Sequence, residues 1–146
     1  MPLLYELTIV SPVRVVYEGR AHSLVAPGVE GQFGVLPHHA PMAAELDTGG
    51  LEVVTEEGER VGFAVSGGVL EVRWEGVMVL ADSAEAAGEI DRERARAAQT
   101  RAEERLRARA ADVDVVRAQA ALRRALNRLR VKEKHQGSRP DRPGTA

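Results

Sequence analysis

The sequence has 146 residues, no cysteine and a formal net charge of −2. That length holds one ordinary domain, or one small domain with an appendage, and the missing cysteine excludes disulfides and thiolate metal sites. No run approaches the roughly twenty apolar residues that cross a bilayer, and the N-terminus lacks the basic start and apolar core of a secretory signal, so a cytoplasmic chain without membrane insertion is expected. The near-neutral total hides a division. Residues 1–89 carry four Lys and Arg against fourteen Asp and Glu, a balance of −10, and residues 90–146 carry sixteen against eight, a balance of +8. A small chain with an acidic half and a basic half is suited to touching other macromolecules.

In the acidic half, Leu3, Tyr5, Leu7 and Ile9 alternate with Glu6 and Thr8, the period of a half-buried strand. Strand-like runs follow at 13–17, 22–26, 51–55, 61–65, 69–74 and 77–81, separated by turn chemistry at Ser11-Pro12, Glu18-Gly19, Glu57-Gly58, Ser66-Gly67-Gly68 and Glu75-Gly76. Short strands at this spacing predict an antiparallel β-sandwich or barrel. Residues 77–81 are apolar at every position, which predicts a strand lying between two layers. Residues 27–46 hold three glycines and three prolines, which predict a rigid exposed loop carrying Phe33, Val35, Leu36, His38 and His39. A pre-shaped surface of this kind suits protein contact, because binding orders little more of it.

From Asp91 the residues are strong helix formers. Ala95, Ala98, Ala102 and Leu106 make a narrow apolar stripe on a first helix. A second helix, capped by Asp112 or Asp114 after a turn near 112–113, has the stripe Val115, Leu122, Leu126 and Leu129. The contact face of the first helix is mostly alanine, which predicts a weakly held, mobile antiparallel hairpin. Past Lys132 the stripe ends, and residues 135–146 read as a disordered tail. The predicted domains are thus a sandwich over 1–87, a helical hairpin over 88–134, and the tail.

The run Gly31-Gln32-Phe33-Gly34-Val35-Leu36-Pro37-His38-His39-Ala40-Pro41 resembles the signature loop of the ε subunits of F-type ATP synthases. So does Phe63-Ala64-Val65-Ser66-Gly67-Gly68-Val69-Leu70-Glu71-Val72, and the order and spacing agree over about residues 3–132. The resemblance implies a sandwich followed by a helical hairpin, seated peripherally on the cytoplasmic face of the cell membrane as a non-catalytic subunit of the central stalk. Glu30, Phe33 and His38 would then lie on the surface facing the γ subunit and the membrane c-ring. The basic hairpin would be permissive when folded down. When extended it would meet acidic elements of the catalytic α and β subunits and oppose ATP hydrolysis.

Ile90-Asp91-Arg92-Glu93-Arg94-Ala95 carries two readings. As a helix start, Asp91 is an N-cap, and Ile90 with Ala95 forms a hydrophobic staple. That reading leaves Arg94 unexplained, since a capping box prefers Glu or Gln there. The resemblance supplies the other reading: Ile90, Asp91, Arg94 and Ala95 match the ATP-binding motif of bacterial ε subunits. An antiparallel hairpin turning near 112–113 sets Arg101 opposite Arg124 and Ala97 opposite Arg128, so guanidiniums converge near Asp91 and an anion is a reasonable occupant. The resemblance adds Glu85, Arg101, Arg124 and Arg128 as contacts of ATP, here a regulatory ligand and not a required cofactor. A solvated arginine-rich face is the alternative to this site.

No catalytic set stands out. Adjacent histidines on a proline-bounded loop diverge, and no carboxylate–histidine spacing of a metal site accompanies them. No P-loop lysine is present, so a bound nucleotide is sensed and not consumed. Nucleic-acid binding through the basic hairpin is the competing function. Against it, residues 90–146 hold no aromatic residue for base stacking.

Overall fold

The computed structural model describes residues 3–108 and 112–135. Seven strands come first: β1 (Tyr5–Val10), β2 (Val15–Gly28), β3 (Gly31–Val35), β4 (Met42–Thr55), β5 (Arg60–Arg73), β6 (Gly76–Ala81) and β7 (Ala84–Ala86). A single 3₁₀ turn (Ala87–Glu89) leads into helices α1 (Arg92–Ala108) and α2 (Asp112–Lys134). The strand order is β1-β6-β5-β4-β2-β3, with β7 on β5, and β1 also pairs β2. The pairing therefore closes on itself, leaving β1 no free edge. All ladders are antiparallel except β1–β6, which is parallel.

The expected sandwich is built from fewer and longer strands than the turn signals suggest. The runs at 13–17 and 22–26 belong to one strand, because Glu18 and Gly19 pair with Thr8 and Leu7 of β1. Gly19 makes room there: a Cβ on it would come within 3.2 Å of the Tyr17 hydroxyl. Ser66-Gly67-Gly68 is likewise no chain reversal but a kink inside β5. Gly67 and Gly68 take positive φ values of 79° and 129°, and β5 there changes partner from β7 to β6. Such a kink lets one long strand serve both layers.

Three further expectations are corrected. Residues 27–46 are not one loop, since β3 and the start of β4 lie within them, and Val35 is buried. Its alternation with Gly34 and Phe33 is a short strand pattern that the glycines and prolines obscured. Strand β6 is not buried on both faces, because Leu80 is exposed while Val79 and Ala81 are buried. On α2 the stripe Val115, Leu122, Leu126 and Leu129 is not the buried face; Ala118, Ala125, Asn127 and Val131 are, with Leu126 39% exposed. This helix packs on both α1 and the sandwich, so alanines allow close approach on one side and Asn127 and Val131 reach the strands on the other.

The expected turn at 112–113 is also displaced. Helix α2 already begins at Asp112, so the turn precedes it, outside the described residues. Asp112 is thus the first helical residue, and Asp114 lies in the first turn, where the helix dipole favours acids. The predicted tail begins one residue too early, because the His135 N–H bonds the Val131 carbonyl at 3.1 Å and the residue is only 8% exposed. Residues 136–146 lie outside the described residues.

The core is divided very unequally. Every large side chain that is fully buried, from Leu7 and Ile9 through Phe63 to Val79, belongs to the strands. Tyr17 meets Phe63 edge to face at 5.8 Å between centroids, a favoured aromatic geometry. Burying each large apolar side chain contributes about 1.5–3 kcal/mol. The junction with the hairpin has a separate small cluster of Ala64, Ala87, Ile90 and Val131.

Candidate functional site

The start of α1 is fixed by its own sequence. The Asp91 carboxylate accepts the Arg94 backbone N–H at 3.1 Å, and its carbonyl accepts that of Ala95 at 3.0 Å. Ile90 and Ala95 are both 3% exposed, in the positions of a hydrophobic staple. Three of the four motif residues therefore have a complete structural explanation. The fourth, Arg94, projects into solvent-exposed space.

Beside that helix start lies a cleft of about 440 Å³ lined by Glu85, Asp91, Arg94, Ala95, Arg101 and Arg128, within the ~300–1,000 Å³ of small-molecule sites. Strand β7 supplies Glu85, α1 supplies Arg94 and Arg101, and α2 supplies Arg128. Ala97 and Arg128, expected opposite each other, both line the cleft, whereas the expected pairing of Arg101 with Arg124 does not appear in it. Arg124 does not line it, and Ile90 lies buried. Sequence reasoning missed two lining residues, Arg14 and Glu89. Arg14 comes from the turn before β2 and meets Glu89 at 2.5 Å. Its only signal was being one of the four cations in an acidic half.

Four guanidiniums and three carboxylates share this cleft. Arg128 donates to Glu85 at 3.1 Å, and the hydrogen bond from Arg14 to Glu89 raises the already high pKa of that guanidinium. Both partners of the Arg14–Glu89 pair are about half exposed, and pairs of this kind contribute about 0–1 kcal/mol. Arg94 and Arg101 form no ion pair among the described residues. Planar cationic forks without a carboxylate partner are suited to phosphate oxygens.

Beside the small apolar cluster at Val131, the hairpin lies against the sandwich through polar contacts. The Asn127 amide donates to the Gly49 carbonyl at 2.9 Å and to that of Val65 at 3.4 Å. Arg123 reaches Asp47 at 3.3 Å, and Lys132 donates to the Ala87 carbonyl at 3.1 Å. At the end of α2, Lys134 and His135 each stand 3.5 Å from Glu52, which Arg60 also meets at 2.8 Å. Burial alone would raise the Glu52 carboxyl, but Arg60, Lys134 and His135 outweigh it and hold its pKa below the ordinary value. Burial pushes the His135 imidazole below its ordinary value, against the attraction of Glu52. The His135 ring covers Gly62, where any Cβ would collide with it.

The second candidate region is spread along β3. Glu30 stands exposed in the β2–β3 turn, Phe33 packs partly against the core, and His38 stands exposed beyond the other end of the strand. His38 has a φ of 64°, the left-handed region, which holds the backbone in a sharp turn. Another hollow of about 440 Å³ brings Leu36, His38 and His39 beside Tyr5 and Trp74. Trp74 is 83% exposed and was missed from sequence, since it looked like the end of a strand. Among the described residues no group of His, Asp and Glu has the arrangement of a metal site.

The molecule is thus a closed β-sandwich continued by a two-helix hairpin folded against it, with an arginine-lined cleft at the junction. The family models agree: "ATP synthase, Delta/Epsilon chain, beta-sandwich domain" matches residues 4–87, and "ATP synthase, Delta/Epsilon chain, long alpha-helix domain" matches 89–133. The chain belongs to the ATP synthase delta/epsilon family. It is 46% identical to the ATP synthase epsilon chain of Brevibacillus brevis, over 71% of this chain and 79% of that one. It is 51% identical to that of Carboxydothermus hydrogenoformans, over 71% and 77%. Among solved structures, a chain of the Euglena gracilis mitochondrial ATP synthase (OSCP, F1 and c-ring) matches with a TM-score of 0.73 at 25% identity, covering 84% of this chain and 78% of that one. Among the described residues no helix is long and apolar enough to cross a membrane.

Proposed function

We propose that this chain is a non-catalytic subunit of the central stalk of an F-type ATP synthase, peripheral on the cytoplasmic face of the cell membrane, whose hairpin regulates ATP hydrolysis and senses ATP. Residues 1–87 form the coupling module, with Glu30, Phe33 and His38 on the surface that meets the γ subunit and the c-ring. Residues 88–134 form the regulatory module, whose basic helices meet the catalytic α and β subunits when extended. The observation that carries the ATP-sensing reading is the cleft beside Asp91, whose arginines come from both helices and whose Glu85 comes from the sandwich. Such a site is complete only while the hairpin lies folded down.

A ligand that binds one conformation stabilises it by mass action, by about 2.7 kcal/mol at a hundredfold excess over its dissociation constant. ATP therefore favours the compact hairpin. The basic residues Arg123, Arg128 and Lys134 already pair with sandwich acids, which supports a self-docking hairpin over one built for nucleic acid. Calorimetric titration of the full chain with ATP tests the reading. Arg94→Ala is expected to weaken binding about tenfold with unchanged helix content, since Arg and Ala have similar helix propensity. No ATP-dependent signal from the unaltered chain at millimolar nucleotide makes the motif a helix start only.

A further inference from the structure

The arginines expected in the cleft from sequence all belong to the hairpin, but Arg14 belongs to the sandwich. It stands in the turn between β1 and β2, and its guanidinium forks onto both Glu89 oxygens at 2.5 and 3.4 Å. We propose that Arg14 is a phosphate-binding residue of this cleft, held by Glu89 while the cleft is empty and transferred from carboxylate to phosphate when a nucleoside triphosphate enters. The inference rests on the nucleotide reading given above.

Three observations carry it. The two-bond fork that Arg14 presents to Glu89 is the geometry by which a guanidinium grips a phosphate. The charge inventory of the cleft also calls for an exchange. A polyanion entering beside Glu85, Glu89 and Asp91 meets three carboxylates. Glu85 is engaged by Arg128 from α2, and the Asp91 carboxylate is bonded to the start of α1. Glu89 alone sits on a short 3₁₀ turn with its side chain half exposed, able to swing to water and leave Arg14 behind. Finally, with Arg14 included, the cationic lining comes from the sandwich, α1 and α2 together. One ligand then ties all three bodies, whereas the arginines of the hairpin alone would tie only the two helices.

The test is a double-mutant cycle read by calorimetric titration of the full chain with ATP, using the unaltered chain, Arg14→Gln, Glu89→Gln and the double variant, with Arg94→Ala as a control for the site. Arg14→Gln is expected to weaken ATP about five- to tenfold, the scale of a charge-assisted hydrogen bond. Glu89→Gln is expected to tighten it severalfold. The decisive comparison lies within the Glu89→Gln background. If Arg14 touches phosphate, adding Arg14→Gln still weakens ATP there. If Arg14 only neutralises Glu89, adding it changes nothing and the inference is overturned. Arg14→Lys keeps the charge without the fork and is expected to recover part of the loss, which also serves should Arg14→Gln fold poorly. Binding that is lost in Arg94→Ala but indifferent to Arg14→Gln overturns this inference and leaves the nucleotide site standing. No binding by the unaltered chain overturns both.

Discussion

The sandwich and the hairpin are held by different physics. The strands bury Phe63, four leucines, an isoleucine and several valines completely, whereas the buried positions of the helices are mostly alanines with Asn127 and Val131. Apolar burial scales with area, so the sandwich carries nearly all of the hydrophobic driving force. The hairpin is located by directional contacts: an amide reaching two strand carbonyls, and ion pairs at Asp47, Glu52 and Glu85. A body held by area comes apart only on unfolding, while one held by a few polar contacts can leave and return with its own fold unchanged.

The sharpest way to break that comparison is at Phe63. Truncating it to Ala is expected to cost about 3–5 kcal/mol of global stability, read from denaturant unfolding, as for other buried aromatics. A fragment ending at Ala87 is expected to keep a cooperative transition and a dispersed amide spectrum, because it retains every large fully buried side chain. Loss of that transition would show that the sandwich depends on its hairpin.

Asn127→Ala probes the other side. It removes a donor shared by the Gly49 and Val65 carbonyls, and losing a hydrogen bond of this kind costs about 0.5–1.5 kcal/mol. The loss is expected in the docking equilibrium alone: faster hydrogen exchange in α2, with the protection of β4 and β5 amides largely kept. Equal loss of protection in strands and helices would mean that the two parts unfold as one unit.

A smaller effect is expected from pH at the end of α2. The folded pKa of His135 lies below its ordinary 6.5, so docking is favoured by the neutral ring. Its contribution is complete above about pH 6.5 and is lost as pH falls through the folded value. The protection factors of the last turn of α2, taken relative to the intrinsic exchange rate at each pH, are expected to fall between pH 7.5 and 5, and His135→Gln to flatten that dependence. The depressed pKa of Glu52 acts in the same direction at lower pH: its contribution is present above the ordinary carboxylate value and lost as pH falls through the folded one. The smallest effect is at Glu30, whose exposed side chain packs against nothing in the core. Glu30→Ala is expected to change stability by under about 0.5 kcal/mol, and a large fall in melting temperature would contradict a surface role.

Local patterns were legible wherever one partner decided the outcome. The alternation of Leu7 and Ile9, the cap at Asp91 and the alanine stripe of α1 all read directly, because each is written in the spacing of its own element. What failed had two partners or none nearby. The long strands β2 and β5 pass through glycines that resemble turns, since Gly19 yields space to Tyr17 and Gly67 with Gly68 bends β5 between β7 and β6. The buried face of α2 was misjudged because it serves both α1 and the sandwich. In the cleft, Arg94, Arg101 and Arg128 follow from helical spacing, but Arg14 stands 75 residues from Glu89, beyond the reach of any periodicity.

The link between the last strand and α1 is the five residues from Ala87 to Asp91, a single 3₁₀ turn and its flanks. A tether this short confines the detached hairpin near its berth, at an effective concentration on the order of millimolar or above. Contacts too feeble to join two separate proteins then suffice to keep the berth mostly occupied. Occupancy is also independent of how much of the protein a cell contains. If the hairpin detaches as proposed, each molecule carries its own balance between docked and free, which a ligand or a neighbouring surface can tip with only a few kilocalories.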